Sequence, residues 1–132
     1  WEEMLTSQIF HGGIRKSLGD FTSNFRDSLK ESCQGSESWP IKIGKENGYV
    51  FEFWLLSCNI NSKTNKPEFT FLKAIEGNDS FYVLQLALTR DPTEEEIVKW
   101  TQFLQSAFVC DSRINERKCP TLNFYLLNHK FD

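Results

Sequence analysis

The sequence predicts an α+β domain: a four-stranded, mainly antiparallel sheet with an N-terminal and a C-terminal helix packed on it, in the order α-β-β-β-α-β. Three observations point there. The run YVFEFWLLSCNI, Tyr49 to Ile60, is dense in the aromatic and β-branched residues that suit a pleated, buried surface. SFYVLQLALT, Ser80 to Thr89, alternates along a strand. Two further stretches, one starting at Ile14 and one at Thr93, repeat their apolar residues at helical spacing.

Taken in order, Trp1, Met4, Leu5 and Ile9 fall near helical spacing, so Trp1 to Phe10 reads as a short helix that Gly12-Gly13 interrupts. Ile14, Leu18, Phe21, Phe25 and Leu29 then follow at steps of four and three, one apolar stripe of an amphipathic helix. Cys33 continues that stripe, which places it on the buried side at the helix end. CQGSESWP reads as a loop, because Gly, Ser and Pro cluster in it and Pro40 disfavours helix at Trp39. After a KENG turn, the strand Tyr49 to Ile60 has two apolar faces: Phe51, Phe53 and Leu55 on one, Val50, Trp54 and Leu56 on the other, with Glu52 as the exception.

A polar turn, NSKTNKP, leads to a returning strand, Glu68 to Glu76. Gly77 and Asn78 are expected to supply the positive-φ positions of the next hairpin. Asn78-Asp79-Ser80 also matches a glycosylation sequon. On the third strand Tyr82, Leu84, Leu86 and Leu88 line one face, and Phe81, Val83, Gln85 and Ala87 the other. Thr93 with Glu96 three residues on is a capping box, and Ile97, Trp100, Leu104, Ala107 and Phe108 form the stripe of a helix ending near Cys110. This helix is expected to cross over, right-handed, to a last strand, Thr121 to Asn128.

Length and composition bound the rest. At 132 residues, with 39% hydrophobic and 25% charged residues, the chain reads as a single folded domain, 1–132. Twelve Phe and four Trp supply much of the burial. A net charge of −3 argues against a nucleic-acid or anionic-membrane surface. No apolar run approaches the length of a membrane-spanning helix. The chain opens on Trp1 rather than Met, and reads as one from which a leader has been removed.

Cys33, Cys58, Cys110 and Cys119 lack metal-like spacing, and neither His11 nor His129 stands at a zinc-finger distance from them. Two disulfides, Cys33–Cys58 and Cys110–Cys119, are the favoured pairing of three, since each ties the end of one element to a neighbour. Disulfides imply an oxidising compartment, hence a secreted or periplasmic protein.

No nucleophile–base motif, phosphate-binding loop, dinucleotide fingerprint or metalloprotease helix occurs, so no catalytic residue, cofactor or metal ligand is assigned. Two surfaces stand out as binding candidates. One is the sheet face carrying Glu52, Trp54, Gln85 and Tyr125, where aromatic and polar groups mix as they do in ligand sites. Glu52 is expected to pair with a Lys or Arg across the strand, and Lys73 on the neighbouring strand is one candidate. The other is the loop Asp111 to Lys118, whose Arg113, Glu116, Arg117 and Lys118 stand between two cysteines.

The sequence therefore predicts a small non-enzymatic domain that binds a protein partner, as a secretion accessory, a virulence-associated factor, or an inhibitor or immunity protein does. The alternative is a small-molecule or lipid carrier using the face around Trp54.

Overall fold

The structure is a computed structural model that describes residues 2–11 and 16–120. Its elements run β1 (Glu3–His11), α1 (Leu18–Ser32), β2 (Cys33–Glu46), β3 (Tyr49–Asn61), β4 (Lys66–Glu76), β5 (Ser80–Leu88) and α2 (Glu94–Ser106). The five strands form one sheet in the order β1-β5-β4-β3-β2, antiparallel at every pairing. The α+β class and the β3–β4–β5 meander are those the sequence predicts. Among the described residues the sheet has five strands where the sequence predicts three, and the predicted fourth strand, Thr121 to Asn128 with Tyr125, lies outside those residues.

Two expectations are overturned. Glu3–His11, which overlaps the stretch Trp1 to Phe10 read as a helix, is an extended edge strand paired with β5 from Glu3↔Leu88 to His11↔Ser80. Its apolar residues fit a helical spacing, but Met4 and Phe10 lie on one sheet face and Leu5 and Ile9 on the other. The predicted loop CQGSESWP is the first half of β2. Turn-formers are tolerated there because β2 is the opposite edge: Gly35 takes φ +79°, and the register with β3 slips at Ile41, immediately after Pro40.

The connection between these edges is α1. It leaves β1 at one side of the sheet, crosses a face, and delivers the chain to β2 at the other side. Ser17 caps it, its hydroxyl accepting from the Asp20 amide at 3.1 Å. Leu18 and Phe21 are buried against Leu56, Leu72, Ala74, Phe81 and Val83. The Phe21 ring stacks on Phe81 with centroids 4.2 Å apart and meets Phe10 edge-on at 5.2 Å.

The other face carries α2. Phe51, Phe53, Phe71, Leu86 and Leu88 are buried there with Leu104, and Ile97 and Trp100 pack against them. Each fully buried Phe contributes roughly 1.5–3 kcal/mol. The alternation predicted for β3 and β5 therefore assigns these side chains to the correct faces. The capping box is present: Thr93 Oγ1 accepts from the Glu96 amide at 3.2 Å, and Glu96 Oε1 accepts from the Thr93 amide at 3.2 Å.

The helix stops at Ser106, short of the predicted Cys110, and Phe108 is 42% exposed rather than buried. Lys73 explains the stop. Its ammonium, fully buried on β4, donates to the carbonyls of Leu104 (3.0 Å), Gln105 (3.3 Å) and Ala107 (2.5 Å) and to Glu46 Oε2 (2.8 Å). A cation thus meets the negative end of the helix dipole and binds carbonyls of its last turn, of which Leu104 also accepts from the Ala107 amide at 3.3 Å. Burial pushes Lys73 below the usual lysine range, and the Glu46 carboxylate offsets part of that shift.

Candidate functional site

Two hairpin turns lie beneath the loop that follows α2. Asn47 (φ +51°) and Gly48 (φ +80°) join β2 to β3, the two-residue turn whose backbone twist suits a hairpin. Gly77 to Asp79 join β4 to β5. Neither Gly77 nor Asn78 has a positive φ, which corrects the sequence expectation. Gly77 is needed for room instead, since a Cβ there would stand 2.5 Å from the Tyr82 ring.

The loop is fastened across these turns. The Cys110–Cys119 disulfide closes its base, with Cα atoms 4.8 Å apart. The Asn47 side-chain amide donates to the carbonyls of Val109 (3.1 Å) and Arg117 (3.2 Å), one on each limb. The Asp111 amide closes onto the Arg117 carbonyl at 2.5 Å, and a 3₁₀ turn forms at Asn115–Arg117. Arg117 then reaches back, its guanidinium 4.3 Å from the Tyr49 ring centroid and donating to Asn78 Oδ1 at 2.7 Å. A Cβ at position 48 would stand 3.0 Å from Arg117 Nε, so Gly48 also makes room for this arginine.

Arg117 is therefore a positioning residue, while Arg113, Glu116 and Lys118 are exposed. Arg113 forms a forked pair with Asp111, at 2.9 and 2.8 Å. Together with the Arg113 amide, that fork holds the Asp111 carboxyl down at about 2. A polar cleft of about 270 Å³ opens beside the loop, lined by Tyr49, Asn78, Asp79, Tyr82, Asp111 and Arg113 among others. Sequence reasoning located the loop but missed Asn47, Tyr49, Asn78 and Tyr82. The Asn-Gly turn was the available signal for Asn47.

The sheet-face candidates are arranged differently. Glu52 is buried beneath α1, where its Oε1 accepts from the Thr22 hydroxyl at 2.8 Å and from the Trp54 indole at 2.7 Å. Arg26 of α1 lies 3.9 Å over the Trp54 ring. Lys73 is not the partner of Glu52. The register sets Glu52 opposite Ala74 and Lys73 opposite Phe53, so the two charges point to opposite faces. Gln85 lines a separate shallow groove beside α1, with Phe25, Leu29 and Thr70. The face around Trp54 thus carries a helix, and Tyr125 lies outside the described residues.

Ser80 and His11 also approach, with Oγ 3.2 Å from Nδ1. The nearby carboxylate of Asp79 accepts from the same hydroxyl at 3.3 Å rather than orienting the imidazole. The three do not form the nucleophile–base–orienter relay that acyl transfer uses. Both cysteine pairs are bonded as the sequence predicts, with the Cys33 and Cys58 Cα atoms 5.5 Å apart. Among the described residues no helix is long and apolar enough to cross a membrane, and no group of three or more His, Cys, Asp or Glu could hold a metal ion.

Neither a protein-family model nor a curated protein matches the chain. Among solved structures it is similar to PA94, a Pseudomonas aeruginosa protein of unknown function. The TM-score is 0.57 at 10% identity, over 84% of this chain and 86% of that one. It is also similar to the Saccharomyces cerevisiae Ran-binding protein Mog1p, with a TM-score of 0.44 at 12% identity, over 76% of this chain and 55% of that one. The first likeness is one of fold. Identities this low carry no residue of a site across.

Proposed function

We propose that this is a non-catalytic, secreted or periplasmic recognition domain that grips a protein partner with the loop Asp111 to Lys118. The observation that carries the reading is the way the loop is built. A disulfide, the Asn47 amide and the Arg117 side chain hold its two limbs on the turn end of the sheet. Little ordering entropy remains to be lost on binding, which is what pre-organisation contributes to affinity. Arg113, Glu116 and Lys118 are presented outward from that frame beside a polar cleft, a charge-mixed rim suited to steering and orienting a protein rather than enclosing a small apolar ligand. The disulfides support an oxidising compartment. A carrier would need the face around Trp54 open, and α1 occupies it.

Site-specific photo-crosslinking in the secreted or periplasmic fraction of the source cells tests the reading. A photoreactive residue at Glu116 should give one discrete adduct that one at Ser28 on α1 does not. The triple variant Arg113→Glu, Glu116→Lys, Lys118→Glu should abolish partner capture by at least tenfold, with Arg117 left in place to keep the loop seated. Capture that survives this reversal, or equal adducts from positions 116 and 28, would remove the loop as the site.

A further inference from the structure

We infer that β1 is a homodimer interface: two copies of the chain join edge to edge through antiparallel β1 strands, about a two-fold axis at Ser7, into one continuous sheet. Among the described residues the sheet ends at β1, which has a neighbour on its β5 side only. The Thr89 amide donates to the Glu2 carbonyl at 3.0 Å, continuing the β5 ladder. Since backbone groups alternate in direction along an antiparallel strand, the even-numbered residues of β1 bond to β5. The N–H and C=O groups of Glu3, Leu5, Ser7, Ile9 and His11 are then directed at the free edge.

That edge is nine residues long, without Pro, Gly, Lys or a register shift, and its apolar side chains stay open. Met4 is 40% exposed, Leu5 47%, Ile9 52% and Phe10 39%. Natural edges are normally blunted by charge, proline or a bulge, so a flat apolar one marks a place where another strand is added.

The strand itself says which strand. EMLTSQIFH is palindromic in chemistry about its central residue. An antiparallel copy centred on Ser7 sets Glu3 against His11, Met4 against Phe10, Leu5 against Ile9 and Thr6 against Gln8, with Ser7 facing itself. Every pair is matched: acid with base, apolar with apolar, polar with polar, the pairings that stabilise neighbouring strands. Every hydrogen-bonded pair in this register also joins two odd-numbered residues, the ones whose backbone groups point outward. An axis normal to the sheet keeps like faces together, so Leu5 and Ile9 of both copies gather on the α2 side and Met4 and Phe10 on the α1 side. A one-residue slip would set outward-directed groups against inward-directed ones and apolar side chains against polar ones. Such an isologous contact closes on itself and leaves no free β1 edge to propagate.

Sedimentation velocity and native mass spectrometry of the full chain should show the mass doubling from 15.4 kDa as concentration rises. Ser7→Pro deletes an outward amide without touching the β5 ladder, and should leave a folded monomer. Ser7→Cys should form an intermolecular disulfide across the axis, where hydrogen-bonded partners have Cα atoms about 5.5 Å apart. Thr6→Cys should not, because the two Thr6 residues stand two positions out of register. A chain monomeric at several hundred micromolar overturns the proposal. In that case hydrogen exchange separates the causes: a slow Ser7 amide means the chain's own residues cover the edge, and a fast one leaves it for an unlike strand. A dimer that survives Ser7→Pro, or crosslinks as readily through position 6 as through position 7, overturns it as well.

Discussion

The two edges of this sheet handle the same problem in opposite ways. β2 carries Gly35 at φ +79°, Pro40, a register slip at Ile41, and Lys42 and Lys45. It is also fixed at both ends, to β3 through Cys33–Cys58 and to α2 through Glu46 and Lys73. Each device either removes a ladder donor, bends the strand or adds charge, so a further strand finds no flat register there. β1 has no Pro, Gly, Lys or register slip, and its one carboxylate, Glu3, stands at its first residue. Its pairing with β5 runs without a slip over nine residues, and its side chains are mostly exposed. Among the described residues one edge is closed by local chemistry and the other is left regular, and the dimer proposal places its contact on the regular one.

The largest effect is expected at the anchored edge. Lys73→Met strips Glu46 of its partner and takes the ammonium donor away from three carbonyls at the end of α2. It should cost about 3 kcal/mol in urea unfolding, the low end of the range for breaking a buried pair because Glu46 is partly exposed. Replacing Cys33 and Cys58 by Ser should cost roughly 3 kcal/mol as the unfolded chain regains freedom. The shorter Cys110–Cys119 loop should cost about 0.5–1 kcal/mol less. Neither pair should alter association through β1, and a weakened dimer in the Cys33/Cys58 variant would show that the edges are coupled.

Thr93→Ala removes half of the capping box of α2 and should cost about 1 kcal/mol. Ser7→Pro should move unfolding of the monomer by less than about 0.5 kcal/mol. A larger loss would mean that the outward amides of β1 are already paired within the molecule, and the contrast between the edges would fail.

Acid probes two carboxylates held by forked arginine pairs. The Arg90 fork and the Thr93 amide hold the Glu96 carboxyl down at about 2, as Arg113 does for Asp111. With folded values below unfolded ones, the unfolded chain takes up protons first. The stability these groups add is complete above about pH 5 and is lost as pH falls toward 2. Glu96→Gln with Asp111→Asn should flatten the unfolding midpoint across that window.

The same contrast explains what could be read from the sequence. β3, β5 and α2 were legible because their signals are internal: two apolar faces on β3, alternation on β5, a capping box on α2. The cysteine pairing followed from where those elements end. The edges were not legible, because an edge strand is only partly buried and so weakly constrained in composition. β1 places apolar residues on both faces, which mimics a helical spacing, and the first half of β2 has the composition of a turn. The Glu52–Lys73 pairing failed for a sharper reason. Strand partners share a face only at matching register, and a one-residue difference set Lys73 among the phenylalanines, where it ends a helix. At the loop, Arg113, Glu116 and Lys118 could be nominated from their charge. That Arg117 turns inward depends on Tyr49, Asn78 and the bare backbone of Gly48, which come from distant parts of the chain.

The route of α1 across the sheet has a kinetic consequence. β2 to β5 are joined by short turns, so their ladders close with little loss of chain entropy. β1 must find β5 from at least 69 residues away, the separation of His11 from Ser80. Its ladder is expected to form late and open early, and its β5-bonded amides should exchange ahead of those between β3 and β4. A second copy seated on β1 would hold in place the strand that the chain alone holds least. Assembly would then reinforce a ladder that the monomer already forms, and thermal stability should rise with protein concentration.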